Sequence, residues 1–133
     1  MEPKNNSQSG QSLVEFALVI PVFILFIMGI IDMGRLVYSY SVLHNAVREG
    51  ARYGVIDSGR TSVQIQNIVE DTAIGLDRTQ LAVTTSTVSG STHSTIQVNA
   101  QYKFSAATPV IQAFAGGSGF VLSSRATMNA EGW

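Results

Sequence analysis

A chain of 133 residues with 45% apolar and 13% charged side chains holds enough hydrophobic material for one core and is too apolar to stay disordered. Eight Lys and Arg against nine Asp and Glu give a formal net charge of −1, so the basic footprint of a nucleic-acid binder is missing and no nucleic-acid partner is expected. The absence of cysteine removes disulfides, thiolate zinc sites, iron–sulfur ligation and a thiol nucleophile together.

Residues 1–10, MEPKNNSQSG, read as a short polar leader with Lys4 set against Glu2. A secretory signal peptide needs a basic opening, a shorter apolar stretch and a small-x-small site directly after it. The one candidate, Ser39-Tyr40-Ser41, lies beyond Asp32 and Arg35, which disfavours a removable signal peptide. From Phe16 to Ile31 the chain runs FALVIPVFILFIMGII without a charge or an amide side chain. With Leu13 and Val14 added the run covers residues 13–31, 19 positions with one charge and close to the roughly 20 that cross a bilayer as helix, so residues 11–31 are expected as the transmembrane part of the N-terminal helix. The competing reading is a buried helix of a soluble core, but such a helix keeps a polar face and this one has none. Pro21 is tolerated in a membrane helix and is expected to kink it.

Glu15 interrupts the apolar run near its start. A carboxylate there either reaches water at the interface or has a partner, because insertion of an ionised group costs about 2.5–3.5 kcal/mol. The order Gly10-Gln11-Ser12-Leu13-Val14-Glu15-Phe16 resembles the processing site of type IV pilin-like proteins, in which a membrane peptidase cuts after the glycine. That resemblance implies cleavage between Gly10 and Gln11. The new α-amino group would then start a helix, and the carboxylate one turn further on could neutralise such an amine on a neighbouring subunit in low dielectric.

After Asp32 the helix continues: Leu36, Tyr40, Leu43, Val47 and Ala51 form an apolar stripe, and Gly54 is a plausible stop. Residues 32–56 are therefore expected as an extramembrane continuation of the helix, and residues 57–133 as a small outer domain. Thr61 or Ser62 caps a second helix to about Gly75, with Ile65, Ile68, Val69, Thr72, Ala73 and Leu76 on one face. The period then changes to two. Ile96, Val98, Ala100, Tyr102 and Phe104 alternate with polar residues, which predicts a half-buried strand. A Thr-rich strand over 81–88 precedes it in a hairpin. Thr108-Pro109 opens one or two helical turns to Phe114. Phe120, Leu122, Ala126, Met128 and Ala130 predict a third strand. The fold class is α+β: a long N-terminal transmembrane and stalk helix, a second helix and a small three-stranded antiparallel sheet.

The GQSLVEF head, the run Ala46-Val47-Arg48-Glu49-Gly50-Ala51-Arg52-Tyr53-Gly54 and the Ser/Thr-rich strands ending in Ala-Thr-Met resemble the TadE-like family, minor pilins or pseudopilins of tight-adherence pilus systems. The resemblance implies a single-pass protein of the bacterial inner membrane with its N-terminus inside and its domain outside. A count of positive charges alone would point the other way, since Arg35, Arg48 and Arg52 follow the span. It further implies processing at Gly10 and Gln11 by a prepilin peptidase and assembly through Glu15 and Phe16. The partners it implies are other pilin-like subunits, the Tad assembly platform and the lipid bilayer, with roles in adhesion or secretion. Two features depart from the pattern: the leader is weakly basic, and position 16 is Phe where related Flp pilins often carry Tyr.

Arg48, Glu49 and Arg52 are either a solvated helix edge, worth tenths of a kcal/mol, or a clamp on the sheet or on a neighbouring subunit. No catalytic or metal-binding constellation is found. His44 and His93 lack zinc spacing, the Gly116–Gly119 loop lacks the lysine and helix of a phosphate cradle, and no nucleophile elbow occurs. No cofactor or enzymatic activity is expected. Two readings remain: a pilin-like structural subunit, or an uncleaved single-span envelope protein whose outer domain binds a partner.

Overall fold

The first element, α1, is one helix from Ser7 to Ile56, 50 residues or roughly 75 Å at 1.5 Å per residue. The computed structural model describes residues 7–56, 60–89, 93–114, 116–117 and 119–131. The helix starts before the expected span at residue 11, ends at Ile56 where the expected continuation over 32–56 ends, and runs without a break through Pro21. It also runs through Gly54, the expected stop. The glycine serves packing instead: a methyl there would stand 2.8 Å from Ile65 Cδ1 and 3.1 Å from Ile96 Cδ1.

The two halves of α1 meet different surroundings. From Leu13 to Ile31 the large apolar side chains stand exposed, with Ile20 half-buried, and nothing among the described residues covers them. Burial of one Leu, Ile, Val or Phe is worth about 1.5–3 kcal/mol, whereas a whole domain is stable by only about 5–15 kcal/mol. That many side chains cannot be left to water, and a soluble core helix would have buried them. This is a single helix long and apolar enough to cross a membrane.

The second half of α1 is the spine of the domain. Leu43, Ala46, Val47 and Ala51 are fully buried against α2 (Ser62–Thr72) and the sheet. The buried stripe is rotated from the expected one. Tyr40 is 47% exposed and stacks on His44, while Ser39, Ala46, Gly50 and Gly54 are buried. Small residues win this face because they let neighbouring elements approach: a methyl on Gly50 would lie 2.3 Å from Val69 Cγ2.

Thr61 caps α2. Its side chain accepts from Gln64 N–H and the Gln64 side chain accepts from Thr61 N–H at 3.0 Å, a capping box that satisfies two orphan donors. Ile65, Val69, Ala73 and Leu76 bury the expected face, although the helix itself ends at Thr72. Gly75 then turns the chain at φ +85°. Strands β1 (Leu81–Ser89), β2 (His93–Phe104) and β3 (Phe120–Glu131) form one antiparallel sheet in the order β1-β2-β3. In its register Thr85 faces Val98 and Val98 faces Ala126. Ile96, Val98, Ala100 and Phe104 face the helices, as the alternation predicts. The outer face is polar and cross-linked: Thr95 donates to Asn129 at 3.0 Å and Arg125 to Asn99 at 2.7 Å. A short helix, α3 (Pro109–Phe114), lies between β2 and β3.

Close approach at Gly50 yields a direct test. Gly50→Ala is expected to destabilise the domain by about 1–3 kcal/mol through overpacking. Gly34→Ala, whose methyl would meet nothing within 4 Å, should leave stability unchanged or raise it by up to about 1 kcal/mol. Urea unfolding of the two detergent-solubilised variants measures both; equal effects would remove the packing role of Gly50.

Candidate functional site

Gly10, Gln11, Glu15 and Phe16 share an exposed stretch of α1, with Phe16 65% exposed. Gln11 and Glu15 are one helical turn apart on the same face. The Gly10–Gln11 bond lies inside the helix, since α1 begins at Ser7.

The run from Ala46 to Gly54 separates by size. Ala46, Val47, Gly50, Ala51 and Gly54 face inward, and Arg48 and Arg52 face out. Arg52 donates twice to Glu49, Nη2 to Oε1 at 2.7 Å and Nε to Oε2 at 3.1 Å. The Arg52 hydrogen bonds hold the Glu49 carboxyl below its ordinary value, and Glu49 in turn raises Arg52. Arg52 is thus engaged by its own helix and not by the sheet. The motif is legible as a packing device with a solvated edge: the glycines admit α2, and the charges remain at the surface.

The residue that sequence reasoning passed over is Asp32. It was visible there only as the charge that ends the apolar run, yet it is 3% exposed. Four donors converge on its two oxygens. Ala107 N–H reaches Oδ1 at 3.0 Å, Thr108 N–H reaches Oδ2 at 2.8 Å, the Thr108 hydroxyl donates to Oδ2, and Arg35 Nη1 reaches Oδ1 at 3.2 Å. The Thr108 hydroxyl does most to lower the Asp32 pKa, burial opposes it, and the Ala107, Thr108 and Arg35 donors lower it further, to about 2. Chemically this is a strap, which ties the loop before α3 to α1 at the position where the apolar run stops. The only sequence signal was a Thr-Pro pair able to open a helix beside a carboxylate 76 residues away, and distance in sequence hides such a pairing.

Two further contacts fix the sheet on the helices, the first on α1 and the second on α2. His44 Nδ1 lies 3.1 Å from Ser124 Oγ, and Gln66 Nε2 donates to Val83 O at 3.1 Å. Above the strap, the Arg35 guanidinium lies over the Phe104 ring at 5.5 Å. Among the described residues no group of three or more His, Asp or Glu is placed to hold a metal ion. Residues 1–6, 57–59, 90–92, 115, 118 and 132–133 lie outside the described residues, and most of the leader read over residues 1–10 lies there with them.

Residues 10–52 match the family model described as TadE-like protein. The match starts at the glycine of the GQSLVEF head and ends at Arg52, so it covers the apolar run and most of the Arg/Gly motif, while α2 and the sheet lie outside it. It agrees with the family resemblance of the sequence. No curated protein and no solved structure shows significant similarity to the chain.

The strap predicts a pH dependence. A carboxyl lowered from 3.8 to about 2 contributes stability, on the order of 2 kcal/mol, that is complete above the unfolded-state pKa and lost as pH falls through the folded one. Asp32→Asn is therefore expected to be less stable than the wild type at pH 6, with the gap closing between about pH 4 and pH 2. Thermal melts of both proteins across that range measure it. A gap that stays constant with pH would assign the loss to shape and not to charge.

Proposed function

We propose that the chain is a non-enzymatic, membrane-anchored, pilin-like subunit of a tight-adherence pilus or secretion assembly, matured by a prepilin peptidase after Gly10. The observation that carries this reading is the uncovered apolar half of α1 with an exposed Glu15 near its start. A helix of that kind has two stable situations. It rests in lipid, or it packs beside copies of itself, and a pilin-like subunit passes from the first to the second. The TadE-like match begins at the residue where processing is proposed.

In this reading the peptidase opens the helix at Gly10, where glycine weakens it by about 1 kcal/mol relative to alanine. Cleavage turns a backbone amide into a cationic amine at Gln11. Residues 11–31 then wait in the inner membrane as a span of roughly 31 Å, close to the hydrocarbon thickness of about 30 Å. The N-terminus lies inside and the sheet domain outside. On extraction, the apolar faces of neighbouring α1 helices replace lipid, and Glu15 of one subunit neutralises the amine of the next. Phe16 adds apolar contact at that level, Pro21 lets the helix adjust its course, and the exposed Arg48 edge is available to a neighbour or to the assembly platform. Polarity enforces the register, because an unpaired ion in that apolar bundle costs several kcal/mol.

The mature N-terminus decides between this reading and an uncleaved single-span protein. Intact-mass measurement of protein extracted from membranes of cells with an active prepilin peptidase is expected to find Gln11 first; retention of MEPKNNSQSG would overturn the pilin-like reading. Glu15→Gln should leave membrane insertion and folding intact and reduce assembly into filaments by at least tenfold, from a loss of about 3–5 kcal/mol when one partner of a buried pair is removed. Normal filament yield in that variant, scored by electron microscopy, would remove the carboxylate from the mechanism.

A further inference from the structure

The underside of the domain, where α1 leaves the apolar run, is built from parts far apart in sequence. The Asp32 strap holds the start of α3 against α1, and beside it Gly29, Met33 and Leu36 of α1 face Phe104, Ile111 and Phe120 of the domain across an apolar slot of about 220 Å³. Phe120 is 37% exposed and Val121, next to it, 62% exposed. On the other side of Phe104 a wider groove of about 780 Å³ carries the cations Arg35 and Lys103 together with Tyr38 and Tyr102. Asp77 also borders this groove, but its carboxylate is occupied by Thr79, which donates from N–H at 2.9 Å and from Oγ1 at 2.8 Å.

These two features match the depth profile of a leaflet. If residues 11–31 fill the hydrocarbon layer, Gly29 lies roughly 3 Å inside its edge and Arg35 roughly 6 Å beyond it. The headgroup layer on each side is about 5–8 Å thick. By the same measure the apolar slot opens at acyl depth at Gly29 and reaches the headgroup layer at Met33 and Leu36, where it adjoins the Arg35/Lys103 groove at phosphate depth. Tyrosines collect at that level because their rings are apolar and their hydroxyls wet. Tyr38 stands just past that layer, roughly 10 Å beyond the edge; it is 55% exposed and its hydroxyl donates to Ile74 O at 3.4 Å. Ile74 itself is 73% exposed.

We propose that the base of the outer domain is a phospholipid-docking surface, in which the slot between α1 and α3 takes part of an acyl chain and Arg35 and Lys103 meet the headgroup phosphate. The occupant is the leaflet from which α1 emerges, because the slot is continuous with the membrane span through Gly29 and because cations stand at phosphate depth. Docking holds the domain against the bilayer while the subunit waits, and the contact is released when α1 is extracted. The proposal rests on the reading of residues 11–31 as a membrane span.

The natural absence of cysteine allows single spin labels without other changes. Leu25→Cys, Val121→Cys and Ser86→Cys report on the span, the docking surface and the exposed strand β1. The full-length protein is placed in nanodiscs of mixed phosphatidylcholine and phosphatidylglycerol at one copy per disc, and collision with oxygen and with a water-soluble nickel chelate is read by electron paramagnetic resonance. The Leu25 label is expected in lipid, and the Val121 label is expected to meet nickel at least threefold less often than the Ser86 label. Equal nickel access at Val121 and Ser86, with Leu25 in lipid, overturns the docking surface and leaves the span standing. Nickel access at Leu25 overturns the span itself. Protection of Val121 that appears only with several copies per disc assigns the slot to a second copy of the chain and overturns the lipid. Lys103→Gln, a change at an exposed position, should cut the protection at Val121 at least in half; undiminished protection overturns the phosphate contact.

Discussion

Asp32 stands where one helix changes solvent, and its two oxygens receive the Ala107 and Thr108 N–H groups and the Thr108 hydroxyl from the loop before α3, along with the Arg35 guanidinium. An ionised carboxylate at 3% exposure is tolerable only with that degree of satisfaction. The strap therefore does two jobs with one charge. It ends the apolar half of α1 at a defined residue, and it orients the base of the sheet relative to the helix axis. Without it, the connection from Phe104 to Phe120 would be held to the stalk by the apolar contacts of the slot alone.

Above the strap the domain is organised by size more than by charge. The buried face of α1 alternates bulk and absence: Leu43 and Val47 fill space, while Gly50 and Gly54 remove it so that Val69, Ile65 and Ile96 can enter. A glycine in a helix interior costs about 1 kcal/mol relative to alanine, and at these two positions closer packing against α2 and β2 offsets that cost. Gly29 and Gly34, with no neighbour within 4 Å of an added methyl, have no such compensation inside the subunit. Gly34 is exposed and Gly29 half-buried at the rim of the slot beneath the domain, and small residues on such a helix surface permit close approach of another helix.

Periodicity made the local elements legible in the sequence. Ile96, Val98, Ala100 and Phe104 alternate because one face of β2 is buried, and Ile65, Val69 and Ala73 recur at helical spacing because α2 has one neighbour. The apolar run was legible for a cruder reason, its length. What could not be read was any pairing across long separations. Asp32 with Thr108 and His44 with Ser124 join residues that carry no mark of one another. The stripe over α1 was misjudged at Tyr40 because hydrophobic spacing counts an aromatic as core, whereas the actual face selects small residues and accepts Ser39 in preference to a ring. The Arg/Gly motif was legible as a motif with two readings open, a solvated edge or a clamp; Arg52 pairs with Glu49 on its own helix, and the glycines do the packing.

Two surfaces of α1 thus answer to different partners along a single rod. The C-terminal half is committed to its own domain through buried small residues and the strap, and those contacts survive any change in what surrounds the N-terminal half. The N-terminal half is committed to nothing within the chain, and its apolar surface requires only that water be absent. A rod of this kind transmits position faithfully: a pull on residues 11–31 is carried along one continuous helix, past the donor that Pro21 lacks, to Ile56 and through the strap to the base of the sheet. Exchange of lipid for protein around the first half can then proceed without unfolding the second, which is what the proposed role, a subunit that leaves a membrane as a folded piece, requires.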